Sequence, residues 1–145
     1  MKLHLSKLEN MYLRCPINRS MYPSTRAFFD AEGTLISLEV DRTQFHAMGA
    51  AHGSVYFKLI DDAAYFAAQV YVEDCYLLTA GMNINFTRSA ISGVIECRGK
   101  VVYRGRNMLV AEAEITDAEG HLLATGRGTF MRSEKPFEAN FGYRL

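Results

Sequence analysis

Net charge is the first thing missing from this chain. Sixteen basic and sixteen acidic residues cancel to a formal charge of zero, so no long-range field draws it to phosphate backbones or anionic lipid surfaces. Nucleic acid is thereby disfavoured as a partner. Cysteine is also scarce: Cys15, Cys75 and Cys97 are odd in number, far apart and in no Cys-x-x-Cys pair, which argues against a disulfide framework and fits reduced thiols in a cytosolic protein. Long apolar runs are absent as well, with nothing near the roughly 20 residues of a membrane span. The amino-terminal stretch MKLHLSKLENMYLRC breaks its leucines with charges, unlike the continuous run of about 7–15 apolar residues in a secretory signal. The expectation is a soluble, cytoplasmic protein with no membrane partner. Neither metal nor cofactor is expected, because His4, His46, His52 and His121 stand at no ligand spacing, and no Walker loop or Gly-x-Ser-x-Gly elbow occurs.

What is present is a large apolar content, 49% of 145 residues, enough for the core of one domain spanning 1–145. Leu5, Leu8, Met11 and Tyr12 recur at helical spacing and predict a helix over Leu3–Leu13 that stops before Cys15-Pro16. PINRSMYPS reads as a turn-rich connection, and TRAFFDAEGTLISLEVD as two extended pieces around Asp30–Gly33. A helix is predicted from Gly53 to Val70. Beyond it the period changes to two: CYLLTAGMNINFT sets Met82, Ile84 and Phe86 on one face and Gly81, Asn83 and Asn85 on the other. Three further strands are expected near Val94–Tyr103, Met108–Thr116 and Leu122–Met131, joined by glycine-bearing turns at Arg104–Asn107 and Asp117–Gly120. The carboxyl half therefore reads as a four-stranded antiparallel meander, and SEKPFEANFGYRL as a frayed or lightly docked tail. A helix apolar nearly all round needs a wrapping, so the fold class is α+β, a curved sheet around a central helix.

That helix carries the chemistry. In AAHGSVYFKLIDDAAYFAA, residues 50–68, His52-Gly53-Ser54 lies where loop becomes helix. Backbone N–H groups there lack intrahelical partners and the macrodipole adds positive charge, which suits a developing oxyanion. A plain turn and helix cap is the competing reading. Farther on, Asp61 and Asp62 interrupt the apolar run. A carboxylate desolvated on such a helix has its pKa raised and becomes a useful base. Successive helical residues point about 100° apart, so one of the two is expected to reach solvent or to pair with Lys58 or an arginine.

The order of loop, His-Gly, helix with aspartate, MNINFTRSA and a long hairpin resembles the hotdog-fold acyl-CoA thioesterases of the PaaI-like, phenylacetate-pathway type, over residues 24–132. The family pattern is Asn-x-x-Gly-x-x-His-Gly-Gly, six residues, then aspartate. Here HAMGAAHGSVYFKLID matches at Gly49, His52 and Gly53 and sets Asp61, not Asp62, on the catalytic carboxylate. Thr79 falls where relatives have a serine or threonine near the reacting water. His46 stands in place of the usual asparagine, and Ser54 in place of the second glycine. Ser89 replaces a proline.

The resemblance implies a hotdog fold and hydrolysis of an acyl- or aryl-CoA thioester. Gly53 N–H, with that of Ser54, would polarise the carbonyl, Asp61 would act as general base or nucleophile, and Thr79 would orient the water. His46 could donate a hydrogen bond in place of asparagine. His52, Ser54 and Asn83 are further candidates for substrate binding, with Arg104 and Arg106 as contacts to the coenzyme A phosphates. The resemblance also implies a homodimer or homotetramer, a dimer of dimers, with the active site at the subunit interface. Strand alternation sets Thr79 opposite Met82, Ile84 and Phe86, so it is expected to reach Asp61 from a neighbouring subunit. Two rival readings are a non-catalytic acyl-CoA-binding hotdog module and a hotdog hydratase or dehydratase using an Asp-His dyad.

Overall fold

A computed structural model describes residues 1–138 and 141–145. Its elements run α1 (Lys2–Arg14), α2 (Pro16–Met21), β1 (Arg26–Phe29), β2 (Thr34–Glu39), a single 3₁₀ turn at Arg42–Gln44, α3 (Gly53–Gln69), β3 (Leu77–Phe86), β4 (Val94–Arg104), β5 (Met108–Thr116) and β6 (Leu122–Arg132). The strands form one six-stranded antiparallel sheet in the order β1-β2-β4-β5-β6-β3. The sheet wraps α3, as the hotdog expectation required.

The apolar positions of α3 explain the wrapping. Val55, Tyr56, Leu59, Ile60, Ala63 and Ala64 are buried against Ile36, Ile95, Cys97, Ala111, Ile115 and Phe130 of the sheet. Small residues let helix and sheet approach closely. A Cβ on Gly99 of β4 would stand 2.2 Å from the Ala63 carbonyl oxygen, and that oxygen accepts a 2.7 Å hydrogen bond from Thr34 Oγ1. The helix is nevertheless not apolar all round. Ser54, Phe57, Lys58, Asp61, Asp62 and Tyr65 are all at least partly exposed, and their spacing defines one open stripe. Buried Gln69 then fastens the turn into β3, donating to the Val72 and Cys75 carbonyls and accepting from Leu77 N–H.

Several expectations are corrected. PINRSM is a helix, because Pro16 occupies its first turn, where the missing N–H costs nothing and the fixed φ favours helix. The four-stranded meander is a three-stranded one, β4-β5-β6, with β3 on the far side of β6. The chain after β3 crosses the start of α3, where Ala51 N–H bonds to the Ala90 carbonyl and the Tyr56 hydroxyl to that of Arg88. That crossing prevents β3 from lying beside β4. At the β4–β5 turn Gly105 has no positive φ, unlike Gly120; its need is space, since a Cβ would lie 2.9 Å from the Met108 carbonyl oxygen and the Tyr103 ring.

The tail is docked rather than frayed, although residues 139 and 140 of it lie outside the described residues. Phe137 and Tyr143 stack at 4.1 Å between centroids, and the Tyr143 hydroxyl meets His4 Nδ1 at 2.5 Å. The other ring nitrogen of His4 faces the Gln69 carbonyl at 3.0 Å, tying tail and α1 to the end of α3.

Candidate active site

The site starts at the amino end of α3. His52 is the cap: its Nδ1 accepts from Ser54 N–H at 2.9 Å and contacts Ser54 Oγ at 2.8 Å. The Ser54 amide is therefore spent on the cap, contrary to its expected share in polarising a carbonyl. Val55 N–H returns to the His52 carbonyl, while Gly53 N–H has no acceptor among the described residues. It stays available at the positive end of a 17-residue helix.

One long crevice of about 630 Å³ runs from Gly53 along the open stripe of α3, lined by Ile17, His52, Gly53, Ser54, Phe57, Lys58, Asp61, Asp62 and Phe86. Its walls are apolar: Ile17, Phe57 and Phe86 are 46%, 43% and 57% exposed, respectively. Of the four helix aromatics, Tyr56 and Phe66 are core, Tyr65 is half-buried and Phe57 faces the crevice.

Asp61 is half-buried in this crevice and accepts a 2.9 Å hydrogen bond from Thr79 Oγ1 of the same chain. The expected approach of Thr79 from a neighbouring subunit is thus overturned. The cause is a β-bulge: Thr79 pairs with Phe130 and Gly81 with Thr129, leaving Ala80 unpaired. One extra residue reverses the alternation, so Thr79 shares the helix-facing side with Met82 and Ile84. Burial raises the Asp61 carboxyl above the ordinary carboxylate range; the Thr79 hydrogen bond opposes this, the neighbouring Asp62 adds to it and Lys58 counters it. The adjacent Asp62 has a different fate. It accepts from the Tyr12 hydroxyl at 2.9 Å and from Lys58 Nζ at 2.5 Å.

The other candidates divide. His46 lines a second crevice, about 440 Å³, with Gly53, Tyr56, Phe86, Arg88 and Ser89. Its Nδ1 accepts from Met48 N–H at 3.0 Å, which leaves the proton on Nε2 as a donor. Gly53 thus lies where a polar crevice and an apolar one meet. Asn83 is exposed on the sheet face opposite Met82 and Ile84. Arg104 lies over the Tyr71 ring at 4.3 Å, just beyond the carboxyl end of α3, and Arg106 is exposed in the turn beside it. Strand register sets that turn at the Leu77 end of β3, whereas Gly53 adjoins Phe86 at the other end. Within the chain these three residues do not join the crevice. Ile17 and Phe86 were not foreseen as lining residues; the signal for Ile17 was Pro16, which marks a helix start as readily as a turn. Separately, Asp117, Glu119 and His121 gather within 4.8 Å in the β5–β6 turn, where Asp117 is engaged by the Glu119 and His121 amides and the His121 ring.

A family model described as "Thioesterase superfamily" matches residues 48–124, from the loop before α3 into β6. A candidate esterase of Saccharolobus solfataricus is 30% identical over 82 residues, 57% of this chain and 59% of that protein. The chain thus matches less than two thirds of that relative's length. Among solved structures, the PaaI protein from the phenylacetic acid degradation operon of E. coli superposes with a TM-score of 0.78 at 18% identity, over 93% of this chain and 99% of that one. A Haemophilus influenzae thioesterase gives 0.77 at 21% identity, over 88% of each. Zebrafish thioesterase superfamily member 2 gives 0.76 at 22% identity, over 89% and 95% respectively. At these identities the structures establish a shared fold.

Proposed function

The chain belongs to the thioesterase superfamily, and from that premise we propose that it hydrolyses an acyl- or aryl-CoA thioester to the free acid and coenzyme A. The observation that carries the reading is the pairing of an unbonded Gly53 N–H at the positive helix end with a half-buried, Thr79-bonded Asp61 on the open stripe of the same helix.

The two groups do not serve one carbonyl within one chain. Eight residues of helix separate them by about 12 Å of rise, more than a carbonyl and one water span. A second copy resolves this. The outer edge of β3 has no partner strand among the described residues, and a ten-residue edge invites pairing. Thr79 of β3 marks the level of Asp61. Phe86 marks that of Gly53, whose added Cβ would lie 3.4 Å from the Phe86 ring. Antiparallel pairing of two β3 edges about a twofold near Met82 sets the Thr79 level of one protomer opposite the Phe86 level of its partner. Asp61 then faces Gly53 of the partner subunit across the interface.

In that dimer the partner's Gly53 N–H polarises the thioester carbonyl. The acyl group takes the apolar crevice, while the thiol arm leaves toward His46 of the partner subunit, which shares a crevice with that Gly53 and whose Nε2–H can donate to it. Asp61 takes a proton from water as it attacks the carbonyl carbon, or attacks itself to form a mixed anhydride that water then opens; either route expels the coenzyme thiolate. Thr79 holds the carboxylate in place. The same symmetry sets the Arg104 and Arg106 hairpin at the end of the dimer where the partner's Gly53 lies, and these arginines are the proposed contacts to the coenzyme phosphates.

The test is thiol release from short-chain, long-chain and aryl acyl-CoAs, with sedimentation of the same preparation. Hydrolysis by a dimer or a dimer of dimers supports the reading. Tight acyl-CoA binding without turnover would replace it with a binding module, and turnover by a monomer would refute the shared site.

A further inference from the structure

Two adjacent carboxylates border one crevice, and only one is free to meet substrate. Asp62 is held from two sides. Lys58, one turn earlier at i,i+4 spacing, contacts it directly, and Tyr12 of α1 donates to the same oxygen at 2.9 Å. The Lys58 ammonium also lies 3.2 Å from the Tyr12 hydroxyl and over the rings of Tyr12 and Tyr22, at 5.1 and 4.8 Å from their centroids. Its side chain is 11% exposed, so the contact is poorly screened. Among the described residues no other cation is paired with Asp62.

We propose that Lys58 is a positioning residue for the reaction at Asp61: by binding Asp62 it neutralises the second carboxylate and fixes it against Tyr12, leaving Asp61 as the one carboxylate presented to substrate. The proposal rests on the reading of Asp61 as the reacting group. It adds a residue that touches neither substrate nor reacting atoms.

The physical argument is the cost of a carboxylate pair. Two unneutralised carboxylates on adjacent helical residues bordering an apolar crevice raise each other's proton affinity, so a base among them is lost to protonation. Lys58 enters this balance twice, cancelling the charge of Asp62 and attracting that of Asp61, and both effects run in its favour. Groups facing the two carboxylates are few. The titratable ones among the described residues are Lys58 and Tyr65 on α3, Tyr12 on α1, Tyr22 after α2 and Cys97 on β4; the proposed dimer adds His46 of the partner subunit and His52 of the partner subunit. Burial holds the Tyr12, Tyr22, Tyr65 and Cys97 protons in place, so Lys58 is the positive charge within the chain that sets the balance.

The experiment compares wild type with Lys58→Met, Lys58→Arg, Asp62→Asn and Lys58→Met/Asp62→Asn. The readouts are the acid limb of kcat/KM against pH and the titration midpoint of Asp61 by carboxyl-carbon NMR. Lys58→Met is expected to move both up by on the order of one pH unit. Asp62→Asn moves both down, and the double variant and Lys58→Arg return toward wild type. A packing role would lower kcat without that order. Midpoints that coincide across the series overturn the proposal. The Asp62→Asn arm stands whether or not Lys58→Met folds. If wild type hydrolyses no thioester, the function proposed above fails by itself, while the NMR order still decides whether Lys58 governs the charge of Asp61.

Discussion

Replacing Asp61 with asparagine separates chemistry from architecture at this site. The change is isosteric, and the new Oδ1 can still accept from Thr79 Oγ1, which now bonds the carboxylate at 2.9 Å. No packing is lost. What disappears is the ability to take a proton or form an acyl bond, and loss of a positioned general base costs on the order of 10²–10⁴ in rate, or about 3–5 kcal/mol of barrier. Stability should move the other way. The half-buried Asp61 carboxyl holds its proton above the ordinary value of 3.8. Between that value and the higher folded one, the folded state binds more protons than the unfolded chain. Stability therefore falls as pH rises through that window, and a penalty for charged Asp61 persists at neutral pH. Asparagine removes it, so Tm at neutral pH is expected to be equal or higher and its decline across that window shallower. The assay is thiol release alongside thermal unfolding at several pH values. Retention of full kcat/KM would remove Asp61 from the reaction, and a fall in Tm at neutral pH would refute the account of its burial.

Other substitutions probe other parts of the argument. Gly53→Ala should fold, since its Cβ meets only the Phe86 ring at an ordinary 3.4 Å, yet crowd the N–H proposed to receive the carbonyl and lower kcat/KM on the order of 10²-fold with unchanged Tm. Thr79→Val removes a hydrogen bond that favours the charged form of Asp61, so the acid limb of the pH–rate profile should move up and the loss be larger in mild acid than above neutrality. Gly99→Ala pushes a Cβ to 2.2 Å from the Ala63 carbonyl oxygen; urea unfolding should show a loss of about 1–3 kcal/mol, and an unchanged midpoint would mean the helix is not seated that closely.

Sequence patterning reached the architecture because helix and strand periods are local properties. The run of Val55, Leu59, Ile60, Ala63 and Ala67 defines one buried face, and the predicted bounds of β5 coincide with the observed Met108–Thr116. The spacing from His52 to Asp61 was equally visible, since a helix fixes both the rise and the face of residues eight or nine apart. What escaped were features set by one residue of register or by tertiary crossing. The side on which Thr79 lies depends on whether Ala80 is paired; the signal in LLTAGMNINF is Gly81, since a glycine inside a strand often marks a bulge, but a lone glycine does not say which residue goes unpaired. The place of β3 depends on where the chain after Phe86 crosses α3, a choice made by Ala90 and Arg88 carbonyls that carry no side-chain signature.

The two aspartates show how local spacing and tertiary placement combine to divide roles. Lys58 stands three residues before Asp61 and four before Asp62, and both spacings permit an ion pair; sequence alone leaves the choice open. Tyr12 decides it. Arriving on α1 and buried against Phe29 and Phe66, it presents a hydroxyl whose proton is locked by burial and by the neighbouring carboxylate, and that donor draws Asp62 and the Lys58 ammonium to one side of α3. Asp61, turned about 100° away, is left to the bulged strand and Thr79. The amino-terminal helix thus determines which of two adjacent carboxylates is bound by Lys58 and which is left to Thr79.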